Sequence, residues 1–310
     1  MRQPLLAALL SLWLFPVTSL AQQWGYTYRT FDEPSSEQTE MRGLNEFAEI
    51  VGEGYTDFRA APFLLQSSGY TAVDPFPDNP EASQDFQLWG VNKKRQMVGN
   101  FAWAVGVFHE SQTGKTVYLE HPQHGQALAF GLIAFGNTDV LVAGELWNGE
   151  RPVAYAHKII SKEWIIVAPK GSAGARAYGV SGHNGIRLSG VYWTENEDFY
   201  YGFRYDHKKK KITKIAPPGA IWTFAHGMND LGHVTGFYAA EDGYRGFLWD
   251  GSQYYPVNVP GASTTAPNDV NNSGQVVGTF YTSDGNGGSV AKGFLATPNP
   301  KPKSGSSAGQ

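Results

Sequence analysis

Thr223-Phe224-Ala225-His226-Gly227-Met228, then Asn229-Asp230-Leu231-Gly232, then His233-Val234-Thr235-Gly236-Phe237-Tyr238 reads as strand, turn and strand. The outer segments carry β-branched and aromatic residues, and the middle one carries residues that favour turns. Glu241-Asp242-Gly243 then turns the chain again. Arg245 to Trp249 is a third strand, Asp250-Gly251 a hairpin turn, and Tyr254 to Val259 a fourth strand ended by Pro260-Gly261. Four strands within about 50 residues, with no helical period, make one propeller blade.

The same phrase recurs six times. Its opening reads Gly43-Leu44-Asn45, Gly90-Val91-Asn92, Gly131-Leu132-Ile133, Gly179-Val180-Ser181, Gly227-Met228-Asn229 and Asp269-Val270-Asn271. An apolar stretch ending in Gly52, Gly99, Gly144, Gly190, Gly236 or Gly278 follows, and then an aromatic: Phe63, Phe108, Tyr155, Phe203, Phe247 or Phe294. Those aromatics lie 45, 47, 48, 44 and 47 residues apart. A period that steady predicts an all-β, six-bladed β-propeller of four-stranded antiparallel blades. The sixth copy stops after its third strand, at Gly293-Phe294-Leu295. Tyr26 to Pro34 has the pattern of the missing fourth strand, so the N-terminus is expected to complete the last blade and close the ring.

Outside the repeats, Arg2, the apolar run Leu5 to Val17 and Ser19-Leu20-Ala21 read as a secretory signal over 1–21, cleaved after Ala21. Residues 22–297 are expected to form the propeller, and 298–310, rich in Pro, Lys, Ser and Gly, a disordered tail. The expected location is therefore secreted or periplasmic. No other stretch is long and apolar enough to span a membrane. Having no cysteine, the chain has no disulfide, thiolate metal site or cysteine nucleophile. The net charge of −4 and the lack of a basic stripe argue against nucleic acid as a partner.

The Gly-[Leu/Val/Met]-Asn, Val-x-Gly and Gly-Phe-Leu phrases resemble the extracellular HAF repeat family of bacterial exported proteins. The similarity is strongest at Gly227 to Gly232 with Gly246-Phe247-Leu248, and at Val270 to Gly278 with Gly293-Phe294-Leu295. Repeats three and four depart from it, with Ile133 and Ser181 in place of asparagine. The resemblance implies export and a propeller, and no catalytic residues.

Function is expected where the copies disagree. The residue before each opening phrase is large and varied in chemistry: Arg42, Trp89, Phe130, Tyr178, His226 and Asn268. Strand alternation sets this group against Met41, Leu88, Ala129, Ala177, Ala225 and Pro267. The first group either lines a central pocket or packs between blades. The residue after each Val-x-Gly forms a second set: Glu53, Asn100, Glu145, Val191, Phe237 and Thr279. Glu53 and Glu145 could act as an acid and base pair for glycoside cleavage, with His226 as a further candidate, or could simply pair with arginine or face solvent. The loops joining strands two to three and four to one share a face and carry Trp103, Trp147, Tyr192, Trp193, Tyr200, Trp222 and Tyr244. Such rings suit a sugar or a peptide, and equally cap blades.

Turn formation accounts for the repeated asparagines, and a solvated hairpin tip for Lys208 to Lys211. Within the repeats no Gly-x-Ser-x-Gly elbow or phosphate loop is present. His121 and His124 have the spacing of a metal pair but no evident third ligand, so no metal or cofactor is expected. The reading that results is a monomeric, non-catalytic exported propeller engaging a glycan or protein. Its expected ligand-binding residues are Arg42, Trp89, Tyr178, His226, Asn268, Asn100, Trp147 and Trp193. The alternative is a polysaccharide lyase or glycoside hydrolase with its site at the central pocket. A third reading, an assembly component without a small ligand, would fit a channel plugged by Trp89, Phe130 and Tyr178.

Overall fold

The computed structural model describes residues 25–57, 59–78, 85–102, 104–195 and 197–299. Residues 1–24, which include the expected signal segment, Trp103 and the last eleven residues lie outside that set. Six antiparallel sheets form a six-bladed β-propeller, each blade built as strand one innermost to strand four outermost. The first strands are Gln38–Leu44, Phe86–Val91, Gly125–Phe135, Gly174–Ser181, Trp222–Met228 and Thr264–Val270. Among the described residues, blade three alone has a fifth strand, the two-residue Glu120–His121 beside its first strand.

The closing strand is where the repeat count puts it. Tyr26–Phe31 is the outer strand of blade six, paired with Ser289–Pro298 in register Tyr26 to Pro298 and Phe31 to Gly293. Pro298 therefore belongs to the blade rather than to the tail, and the Asn299 amide donates to the Gly25 carbonyl at 2.8 Å.

Every first strand carries a β-bulge at one place. The register shifts between Met41 and Gly43, Leu88 and Gly90, Ala129 and Gly131, Ala177 and Gly179, Ala225 and Met228, and Pro267 and Asp269. The extra residue is the large, varied one: Arg42, Trp89, Phe130, Tyr178, His226 (followed by Gly227) or Asn268. A bulge re-aims a side chain and strengthens the local twist. The two residue sets are thus separated by the bulge as well as by strand alternation.

The glycine of Val-x-Gly sits opposite the bulge, and there its lack of a Cβ is required. A Cβ on Gly52, Gly99, Gly144, Gly190 or Gly236 would come within about 2 Å of the first-strand carbonyl three residues before the opening glycine or its equivalent. The neighbouring packing uses the small residue ahead of the third-strand aromatic. Gly246 faces Pro267 of the next blade, and Gly293 faces Met41. The aromatics Phe203, Phe247, Phe294 and Tyr155 are fully or almost fully buried and fill the blade interiors.

Candidate functional site

The six bulge residues meet around the axis and close on one another. The Arg42 guanidinium lies 4.1 Å from the Trp89 ring centroid. Trp89 and Phe130 meet edge to face at 4.9 Å, Phe130 and Tyr178 at 5.1 Å, and Tyr178 and His226 at 4.4 Å. His226 Nδ1 and Asn268 Oδ1 are 3.0 Å apart, and Asn268 Nδ2 donates to the Met41 carbonyl at 2.8 Å, beside Arg42. This ring plugs the channel. Burial, with Arg42 and Arg176 nearby, pushes the His226 pKa down to about 4, so its imidazole is neutral at pH 7.

On one side of the plug the axis opens toward the strand one-to-two turns, leaving a cavity of about 180 Å³. Arg42, Trp89, Tyr178, His226 and Asn268 are among the residues that line it. Its mouth is made by Glu46, Lys93, Asp230 and Asn272 from the turns themselves. This is the face opposite the one on which the sequence places the binding loops.

Asn100, Glu53, Glu145, Trp147 and Trp193 do not reach this cavity. The second set has a structural job that the sequence reading missed. Asn100 Oδ1 accepts the Ala129 amide of the next blade at 2.7 Å, Thr279 Oγ1 accepts the Met41 amide at 3.3 Å, and Glu53 Oε1 accepts the Leu88 amide. Each ties one blade to the strand next to its neighbour's bulge. Glu53 is fully buried and also holds Arg42 Nε at 2.7 Å. Burial pushes its carboxyl up, against the pull of Arg42. Burial disfavours the Arg42 charge in turn, and Glu53 with Glu40 more than offsets it, so that guanidinium stays ionised. Glu145 is paired with Arg176 Nε at 2.8 Å. Both carboxylates are engaged by arginine, one of the arrangements the sequence leaves open.

The loop face carries the aromatic residues. Trp193 meets Tyr200 at 5.8 Å, Tyr200 meets Phe224 at 4.7 Å, Phe224 meets Trp222 at 5.3 Å, and Trp222 meets Tyr244 at 5.4 Å. Phe237 stacks on Phe224 at 5.2 Å and touches His226 at 5.3 Å, so the network runs from the plug to the surface. Tyr200 and Tyr244 are exposed there, as are Phe199, Ile221 and Trp147. Lys208 to Lys211 spans the exposed three-to-four turn of blade four. His121 and His124 stack on each other at 4.5 Å, and no group of three metal-ligating side chains occurs among the described residues.

The repeated asparagines do more than form turns. Each side-chain oxygen caps its own turn, as Asn271 Oδ1 does for the Ser273 and Gln275 amides. Three of the amide groups also cross to the next blade: Asn45 to the Asn92 carbonyl at 3.2 Å, Asn229 to Asn271 at 3.0 Å, and Asn271 to Asn45 at 3.2 Å. Blades three and four lack the residue; there Ser181 Oγ bonds Asp230 instead.

No family model matches the chain, and no curated protein matches it in sequence. Among solved structures, TolB from Acinetobacter baumannii superposes with a TM-score of 0.47 at 10% identity, covering 83% of this chain, which itself spans 65% of that one. Oligogalacturonate lyase from Vibrio parahaemolyticus gives 0.44 at 8%, covering 88% and 96%. YCF48 from Cyanidioschyzon merolae gives 0.47 at 8%, covering 88% of each chain. This chain is similar to these proteins in architecture.

Proposed function

We propose that the protein is an exported, non-catalytic binding propeller that engages a glycan on the two-to-three and four-to-one loop face of blades three to five. The observation that carries this reading is the ring-to-ring path from Tyr244 through Trp222, Phe224 and Tyr200 to Trp193, exposed at its rim. Flat aromatic surfaces of this kind stack on sugar faces, and their polar edges hydrogen-bond hydroxyls. The Glu145–Arg176 pair, with Arg176 over the Phe130 and Tyr178 rings, offers polar groups on the axis side. Catalysis fits less well, because Glu53 is enclosed and both candidate carboxylates are held by arginine. Export and membership of the HAF repeat group belong to the same reading.

A glycan array followed by calorimetry tests it. Tyr244→Ala and Tyr200→Ala, both at exposed positions, are expected to weaken glycan binding tenfold or more while the melting temperature stays within about 2 °C. Turnover of a polysaccharide, abolished by Glu53→Gln or Glu145→Gln at unchanged melting temperature, would replace the proposal with the enzyme reading. Capture of a protein through the same aromatics, with no glycan bound, would replace glycan by protein.

A further inference from the structure

The cavity on the turn face is not uniform around its wall. Blade three lacks the turn asparagine, so Leu132, Ile133 and Ala134 present an apolar sector, extended by Val91 and Val180 on either side. The floor is aromatic, made by Trp89, Phe130 and Tyr178. Across from blade three the lining is acidic, with Asp230, Asp269 and Glu46 contributed by blades five, six and one. Their hydrogen-bond partners are neutral. Asp269 accepts the Leu44 and Val270 amides, Asp230 accepts Ser181 Oγ and Asn272 Nδ2, and Glu46 accepts the Asn272 amide. Burial leaves Asp269 partly protonated at neutral pH, so the charge of this sector rests mainly on Asp230 and Glu46, and the mouth holds one ammonium, Lys93, near enough to Glu46 to act on its carboxyl. Arg42, also on the lining, is held by Glu53 and Glu40.

We infer that this cavity is a binding site for a small amphipathic organic cation, an alkylammonium whose chain lies on the blade-three wall and whose charge faces Asp230 and Glu46. The apolar sector and the ring edges of the floor offer the chain a dry surface, and Asp230 and Glu46 at the mouth offer its charge an ion pair that a neutral ligand cannot make. The size agrees: about 180 Å³ corresponds to roughly six waters at ~30 Å³ each, enough for an alkyl chain of about four carbons and its ammonium. The same group could arrive as a free amine or as the lysine side chain of a protein partner. Partial desolvation, and the neighbouring Asp230, push the Glu46 carboxyl up against the Asn272 amide and Lys93, a shift that a bound cation would relieve. The site lies on the face opposite the glycan surface and does not depend on it.

Calorimetry with the full propeller tests the inference, using n-butylammonium, n-butanol, butyrate and a Gly-Gly-Lys-Gly-Gly peptide. Butylammonium is expected to bind at least tenfold more tightly than butanol, and butyrate not to bind. Glu46→Gln with Asp230→Asn should weaken butylammonium about tenfold and bring it level with butanol. If that pair lowers the melting temperature, Glu46→Gln alone, at an exposed position, carries the same comparison. Ile133→Asn should weaken butylammonium while leaving methylammonium unchanged. A stronger response to the peptide assigns the cation to a partner's lysine, and a stronger response to the free amine assigns a small molecule. Equal binding of butanol and butylammonium, no response to any cation, or a well-folded acid variant that binds as wild type would overturn it.

Discussion

Gly144→Ala isolates the device that aims the plug residues. Gly144 lies opposite the bulge that carries Phe130. A Cβ there would stand 1.8 Å from the Leu128 carbonyl oxygen and 2.7 to 2.8 Å from the Tyr155 ring edge and hydroxyl. Neither neighbour can yield easily, since the carbonyl is backbone beside the bulge. Tyr155 is fully buried, and its hydroxyl donates to that same carbonyl at 2.8 Å. Overpacking against such atoms costs about 1–3 kcal/mol or more, and displacing a buried hydroxyl from its acceptor about 1–3 kcal/mol. Together these predict a loss of about 3–5 kcal/mol, or roughly 10 °C in melting temperature for a chain of this size. Gly219→Ala is the control. It has open space around it and a φ of +79°, so only backbone strain of about 1–2 kcal/mol applies. Thermal melts followed by circular dichroism measure both. In a Tyr155→Phe background the Gly144→Ala penalty should shrink, because the hydroxyl no longer blocks the new methyl. A Gly144→Ala protein melting within about 3 °C of wild type, or no lower than Gly219→Ala, would refute the close-approach argument.

Asn271→Ala should cost about 2–4 kcal/mol from its turn-capping and interblade bonds. Asn271→Asp, an equally good turn former, should still be clearly destabilised, because it sets a carboxylate against the Asn45 carbonyl; a melt matching wild type would show that only the turn matters. Burial raises the Asp269 carboxyl to about 7, so the folded state holds that proton more tightly than the unfolded chain does. Its contribution to stability is present below the unfolded value near 4 and is lost as pH rises toward 7. Urea titrations should therefore show Asp269→Asn gaining on wild type by a few kcal/mol between pH 4 and 7, and a pH-independent difference would contradict the shift. His226 has the opposite sign: its depressed pKa contributes stability above about 6.5 that is lost as pH falls toward 4. His226→Gln should thus lose less stability than wild type on acidification over that range.

The architecture was legible because its causes repeat. The turn asparagines, the glycines facing each bulge and the buried third-strand aromatics recur at one interval, and Tyr26 to Phe31 matches the strand that blade six lacks. The bulges were not legible, because the pairing partner of Trp89 or Tyr178 is set by hydrogen bonds that slip by one residue. Consequently the bulge residues are recognisable as a set, and a plug of Trp89, Phe130 and Tyr178 as one of their arrangements, but the closure of that plug by Arg42, His226 and Asn268 is not. Glu53 and Asn100 were read as pocket chemistry, yet they accept amides from the next blade. That contact joins residues 35 and 29 positions apart and has no local signature. The cavity's location escaped for a related reason. The face on which an axial opening survives depends on where six unequal side chains meet, and Ile133 in place of asparagine matters only once Asp230 and Glu46 stand opposite.

The closing strand gives the molecule a clock. Thr27 and Asn299, hydrogen-bonded side chain to side chain, are 272 positions apart. At roughly 5–20 residues per second a ribosome needs on the order of 10–50 s to make the chain between them. The first strand to be made is then the last to find its partner, and five blades must wait beside an unfinished sixth. The strand left unpaired over that interval is Tyr26–Phe31, and a helper acting during synthesis has its reason here, in shielding it until Ser289–Pro298 is made.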